Sequence, residues 1–200
     1  MSDYMVEESS GSRTVRYRKV VMWIHWITAM LVLMQIYIGF TFHAMPRGTP
    51  EREFVFGWHK TWGVLILLLA LARLAVRLMN PPPPFPKDYP QWKRLVAVWT
   101  HRLFYFLLIV LPLTGLAAAS GRAKDGWVQL QLGLRIPAIP GIPKDNEFHE
   151  VHEMLVWVTI GLLVLHVSAA LYNQFFDRSG VSGRMWPFHD NRDNEVVDAS

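Results

Sequence analysis

Cysteine is absent from all 200 residues, and that absence removes several chemistries at once. Disulfides, thiolate metal sites, iron–sulfur clusters and covalently attached c-type haem all need it. Charge is also scarce, at 18% of residues, and it is unevenly spread. Between Lys19 and Arg47 there are 27 residues without Asp, Glu, Lys or Arg. Residues 103–121 form a second such run of 19, and 154–176 a third of 23. Each approaches the roughly 20 apolar residues that a helix needs to cross a hydrocarbon core. A fourth span, about 57–79, is punctuated by Lys60, Arg73 and Arg77, yet its centre reads VLILLLALA (64–72). The first run is too long for the apolar part of a signal peptide, and no small-residue cleavage site follows it, so it is expected to remain as a span. The net charge of +4 is explained by basic residues flanking the spans, and no nucleic-acid partner is expected.

The fold expected is all-α, an integral membrane four-helix bundle. Its helices run at about 20–42, 57–79, 93–119 and 149–176, between polar tails at 1–19 and 177–200. Met1–Ser12 is poor in apolar residues and is expected to be disordered. Pro81-Pro82-Pro83-Pro84-Phe85-Pro86 forms a stiff connector after the second helix, and Pro112 is expected to kink the third. Residues 120–148 are rich in Gly and Pro, and RIPAIPGIP (135–143) argues against regular structure there. Lys and Arg number 13 on the side of the two termini and seven on the other, which puts both termini in the cytoplasm. Trp23, Trp26, Trp58, Trp62, Trp92 and Trp99 lie near span ends, where an aromatic belt contacts the lipid headgroups.

Five of the eight histidines fall within or at the edge of spans: His25, His59, His101, His152 and His166. Ionisable groups are costly there and mark function by default. His152 and His166 are fourteen residues apart, which on a helix is roughly −40° of rotation and 21 Å of rise. They leave one face of one helix, one in each leaflet. Two haems stacked in opposite halves of the bilayer need that arrangement, with second ligands from other helices at matching depth. His59 opens the second helix level with His152, and His25 lies nearest in depth to His166. The expected iron ligands are therefore His59 with His152 outside and His25 with His166 inside.

The same interval leads from His25 to Gly39, from His59 to Arg73 and from His101 to Gly115. Glycine allows close approach to a haem face, and arginine pairs with propionates. A zinc or non-haem iron site would instead want three or four ligands converging at one depth. His101 is open to three readings: a structural hydrogen bond, a contact to quinone or propionate, or an axial ligand. Arg73 and His101 are the candidate quinone-site residues.

These segments resemble the bacterial cytochrome b561 family, which is related to the cytochrome b subunits of nickel hydrogenases. The matching stretches are WIHWITAMLVLMQIYIGF (23–40), WHKTWGVLILLLALARLAVRLMNPPPPFP (58–86), HRLFYFLLIVLPLTG (101–115), HEMLVWVTIGLLVLHVSAALYNQF (152–175) and the ending RMWP (184–187). The resemblance implies His25, His59, His152 and His166 as axial ligands of two b haems, in the inner membrane of a bacterium. It implies electron transfer to ubiquinone, with superoxide as donor for some members. Iron held by two histidines has no open position, so substrates react at the haem edge. A basic outer rim of Lys60, Arg122, Lys124 and Arg135 could steer superoxide, although Glu51, Glu53, Asp125, Asp145, Glu147 and Glu150 share those loops. Two other readings stay open: an electron-transfer or anchor subunit of a larger dehydrogenase or hydrogenase, and a non-redox membrane helix bundle.

Overall fold

The computed structural model describes residues 4–7, 14–17, 19–79, 85, 89–123, 125–144 and 147–177. Four long helices dominate: α1 (Lys19–Ala44), α2 (Pro50–Met79), α3 (Gln91–Ser120) and α4 (Phe148–Tyr172). The last runs on into a π-helical stretch, Asn173–Asp177. All four are long and apolar enough to cross a membrane, over 25 to 30 residues. At 1.5 Å per residue the shortest reaches about 37 Å, against about 30 Å of hydrocarbon. A helix satisfies its own backbone hydrogen bonds, as a lipid-exposed segment must.

The second helix begins at Pro50, earlier than the expected 57. Absence of charge was the wrong guide to that end, because Glu51 and Glu53 in the first turn favour a helix N-terminus. Thr49 accepts the Arg52 N–H through its hydroxyl at 3.4 Å, and Pro50 follows where its missing N–H costs nothing. Helix α3 continues through Pro112.

Cross-helix contacts fix the topology as up-down-up-down. The end of α1 meets the start of α2 (Phe42 and Phe56 rings, 5.0 Å), and the start of α1 meets the end of α2 (His25 and Arg73). The same antiparallel relation joins α3 to α4. Helices α1 and α4 meet through rings, Phe40 with Trp157 and His25 with His166. The buried apolar core is small, with Ile66, Ala70, Leu107 and Ala117 at its centre. Tyr37, Leu68, Val164, Leu165 and Leu171 are exposed, as lipid-facing side chains are. This is an integral membrane four-helix bundle.

Two expectations of irregular chain are corrected. In the loop between α3 and α4, β3 (Trp127–Gln129) pairs antiparallel with β4 (Arg135–Pro137). Pro137 ends a two-stranded edge, so it deprives no neighbouring strand of a bond. In the amino tail, β1 (Tyr4–Glu7) pairs antiparallel with β2 (Thr14–Tyr17), whose Thr, Val and Tyr residues suit a strand. The carboxyl tail beyond Asp177 and most of the proline connector lie outside the described residues.

The β3–β4 hairpin is fastened to α2 by Gln131. Its backbone N–H donates to the Thr61 hydroxyl at 2.9 Å, and its side-chain amide donates to the Phe54 carbonyl at 2.6 Å. Gly57 admits that side chain, since a Cβ there would collide with it. At the α3 end, the Ile139 N–H donates to the Ser120 hydroxyl at 3.0 Å. The hairpin is thereby held over the end of the bundle that carries His59.

Candidate functional site

The site is built from α-helical side chains at two depths. At one end His59 of α2 faces His152 of α4, with ring centres 6.3 Å apart and planes at 82°. The Nδ1 of His152 donates to the Leu111 carbonyl at 2.9 Å, with the Thr114 hydroxyl at 3.3 Å. A carbonyl only accepts, so Nδ1 carries the hydrogen and Nε2 presents a free lone pair. Phe42 and Phe56 flank His59 at 5.0 and 6.5 Å between centres. Both rings abut glycine. A Cβ on Gly39 would lie 3.3 Å from His59 Cε1, and one on Gly115 would lie 3.0 Å from His152 Cε1. The fourteen-residue interval thus leads to two glycines that touch the His59–His152 pair.

At the other end His25 of α1 faces His166 of α4, with ring centres 6.5 Å apart and planes at 69°. Arg73 donates to His25 Nδ1 at 3.0 Å, and its guanidinium lies 5.9 Å from the Tyr105 ring centre. His101 points its ring edgewise at His166, 5.6 Å between centres, and Phe104 does so at 5.2 Å. The Nδ1 of His101 donates to the Ala97 carbonyl at 2.6 Å. Arg73 and His101 therefore stand within one cluster with the His25–His166 pair, Arg73 on a ring rather than at a distance from it.

The spacing of both pairs is that of imidazoles sharing one metal ion. A metal–imidazole bond is about 2 Å and a ring nitrogen lies roughly 1 Å from its ring centre, so two such rings are centred about 6 Å apart. Among the described residues no group of three or more His, Cys, Asp or Glu converges on one point, which disfavours a zinc or non-haem iron centre. Paired histidines on separate helices, with glycines beside them and an arginine close by, fit haem.

Several residues here were not foreseen from the sequence. Thr114 and the Leu111 carbonyl orient His152. Gln35, near the middle of α1, donates its amide N–H to the His59 carbonyl at 2.8 Å. An uncharged polar residue deep in a charge-free span was the available signal.

Four apolar spans with paired histidines at two depths are the architecture of a membrane cytochrome of the b type. The family model for prokaryotic cytochrome b561 matches residues 16–188, and the chain belongs to that family. It is 24% identical over 180 residues to cytochrome b561 homolog 1 of Escherichia coli K12, covering 86% of this chain and 97% of that one. With cytochrome b561 homolog 2 of the same organism it shares 26% identity over 182 residues, covering 85% and 90%. With a protein named probable superoxide oxidase CybB of Yersinia pestis it shares 27% over 177 residues, covering 86% and 96%. Membership implies haem b as cofactor and electron transport in a bacterial membrane as the role.

Proposed function

We propose that the chain holds two b haems and passes electrons from a donor on the periplasmic side, superoxide, to ubiquinone in the membrane. His59 and His152 would hold the outer haem, and His25 and His166 the inner one. The observation that supports this is the pair of imidazole separations, 6.3 and 6.5 Å, on two levels of the same bundle. When bound, the haems supply one-electron redox chemistry at potentials set by ligands, burial and nearby charge.

The protein's own groups prepare each level. Leu111 and Thr114 hold His152 in the tautomer whose Nε2 can ligate. At the inner level a guanidinium can only donate, so His25 Nδ1 accepts from Arg73. With haem bound, His25 would ligate through Nε2 and carry its hydrogen on Nδ1, and Arg73 would be the cation available to a propionate. His101, adjacent to His166, is the group that can pass a proton to quinone on the cytoplasmic side. Each superoxide that gives up one electron leaves as oxygen, and a quinone gains two electrons and two protons. Superoxide is an anion, and Lys60 and Arg135 stand at the outer end, over the Phe56 and Trp127 rings at 4.8 and 4.7 Å. One relative carries the name probable superoxide oxidase.

Both termini are proposed to be cytoplasmic, which sets His59 and His152 toward the periplasm. The test is to supply superoxide to the purified, detergent-solubilised chain with a soluble ubiquinone analogue. Quinone reduction that superoxide dismutase abolishes supports the function. Haem bands that superoxide does not reduce, together with co-purification of a stoichiometric dehydrogenase or hydrogenase subunit, would replace superoxide with that subunit as donor.

A further inference from the structure

Gln35 and His59 touch across the α1–α2 interface, and each carries a buried polar atom with no partner among the described residues: Gln35 Oε1 and His59 Nδ1. In the interior of a membrane protein no solvent is at hand to meet such an atom, so leaving it unpaired is strongly unfavourable. Buried polar groups in native proteins are nearly always met. Two on residues in direct contact call for a shared explanation.

The orientation of the amide is fixed. Gln35 Nε2 donates to the His59 carbonyl at 2.8 Å, and exchanging its N and O would set two acceptors against each other. Gly63 makes room for this contact, since a Cβ there would lie 3.3 Å from Nε2. Oε1 is therefore an acceptor held in place. His59 Nδ1 is its complement when Nε2 is the nitrogen that holds iron: Nδ1 then carries a hydrogen and must donate. Metal-ligating histidines regularly give that second N–H to a carboxylate, a carbonyl or a water, and the acceptor sets ring orientation and ligand basicity. His152 has the Leu111 carbonyl for this purpose, whereas among the described residues His59 has none.

We infer that Gln35 is a positioning residue for His59, acting through one buried water that accepts from the His59 Nδ1–H and donates to Gln35 Oε1. The water makes the two or more hydrogen bonds that an internal water needs. Gln35 thereby raises the electron density His59 gives to iron and holds the outer haem's potential below what an unpaired imidazole would give. This inference rests on the proposed function, with His59 holding the outer haem through Nε2.

The test uses the full-length, haem-loaded protein in detergent. Gln35→Leu removes both donor and acceptor at similar volume, and Gln35→Met is a second apolar variant should the first not fold. Either should shift the reduction equilibrium of one haem about tenfold toward reduction, which is about 59 mV for one electron. Its low-spin ferric signal in electron paramagnetic resonance should also move, with the other haem unchanged. Gln35→Glu keeps an acceptor and should return the potential to the wild-type value or lower. Redox-difference infrared spectra of wild type in H2(18)O should show an isotope-shifted water band that both apolar variants lack. Unchanged potential and resonance in the apolar variants, or a Glu variant that behaves like Leu, would overturn the role of Gln35. No isotope-sensitive band in wild type would overturn the water. Retention of both haems in His59→Ala would instead remove the ligand assignment beneath it.

Discussion

Three glycine-to-alanine substitutions should affect the bundle in a graded way. At Gly115 a methyl group would lie 3.0 Å from His152 Cε1 and 3.2 Å from its Nδ1, closer than carbon atoms normally approach. His152 cannot swing away cheaply, because Leu111 and Thr114 hold its Nδ1. Overpacking of this kind costs about 1–3 kcal/mol, a factor of about 5 to 150 in affinity for whatever the ring must align to bind. At Gly39 the contact to His59 Cε1 is 3.3 Å, so a shift of a few tenths of an ångström relieves it. That smaller displacement should cost about 1 kcal/mol or less. Among the described residues nothing lies within 4 Å of a Cβ added at Gly161, and alanine there should stabilise the helix by roughly 0.5–1 kcal/mol. The assay is haem titration of each detergent-solubilised variant, followed in the α band at low temperature where the two haems can be resolved. Outer-haem affinity should fall strongly in Gly115→Ala, weakly in Gly39→Ala and not at all in Gly161→Ala. Equal loss in all three, or loss confined to the inner haem, would refute the assignment of the Gly39–Gly115 level.

The remaining expectations concern single residues and the chain's orientation. His149, three residues before His152 on α4, is the rival ligand, but only His152 stands fourteen residues from His166. His152→Ala should remove the outer haem and keep the inner one, His149→Ala should keep both, and pyridine haemochrome counts on the two variants decide it. Arg73→Gln should lower the potential or occupancy of the inner haem in a redox titration. If Arg73→Gln and His101→Ala both leave haem content and quinone-dependent turnover unchanged, neither belongs to the quinone site, which must then be sought at the outer haem. A reporter fused to the carboxyl terminus should be active only in its cytoplasmic form, and an exported terminus would invert the electron path.

The four spans were legible because lipid imposes a simple rule: a helix in hydrocarbon excludes charge for about 20 residues. That rule also fails in a definite way. It started the second helix too late, since Pro50, Glu51 and Glu53 begin it in the headgroup region where charge is tolerated. Depth along a helix follows from residue number alone, which is why Arg73 could be set level with His25, and Gly115 with His152, before any coordinates. Contacts that depend on rotamer and backbone carbonyls were not legible. Neither the Leu111 carbonyl beneath His152 nor the Gln35 amide on the His59 carbonyl follows from helical periodicity. The β3–β4 hairpin was hidden by its prolines, because an edge strand of three residues tolerates Pro137 where a central strand would not.

Haem counting on the wild-type chain and on one variant from each level bears hardest on the proposed function. Pyridine haemochrome analysis against protein concentration should give two non-covalent b haems per chain. His59→Ala and His25→Ala should each retain one, and the two retained haems should differ in spectrum and potential. One haem per wild-type chain, or the same surviving haem in both variants, would contradict the assignment of one haem to each histidine pair.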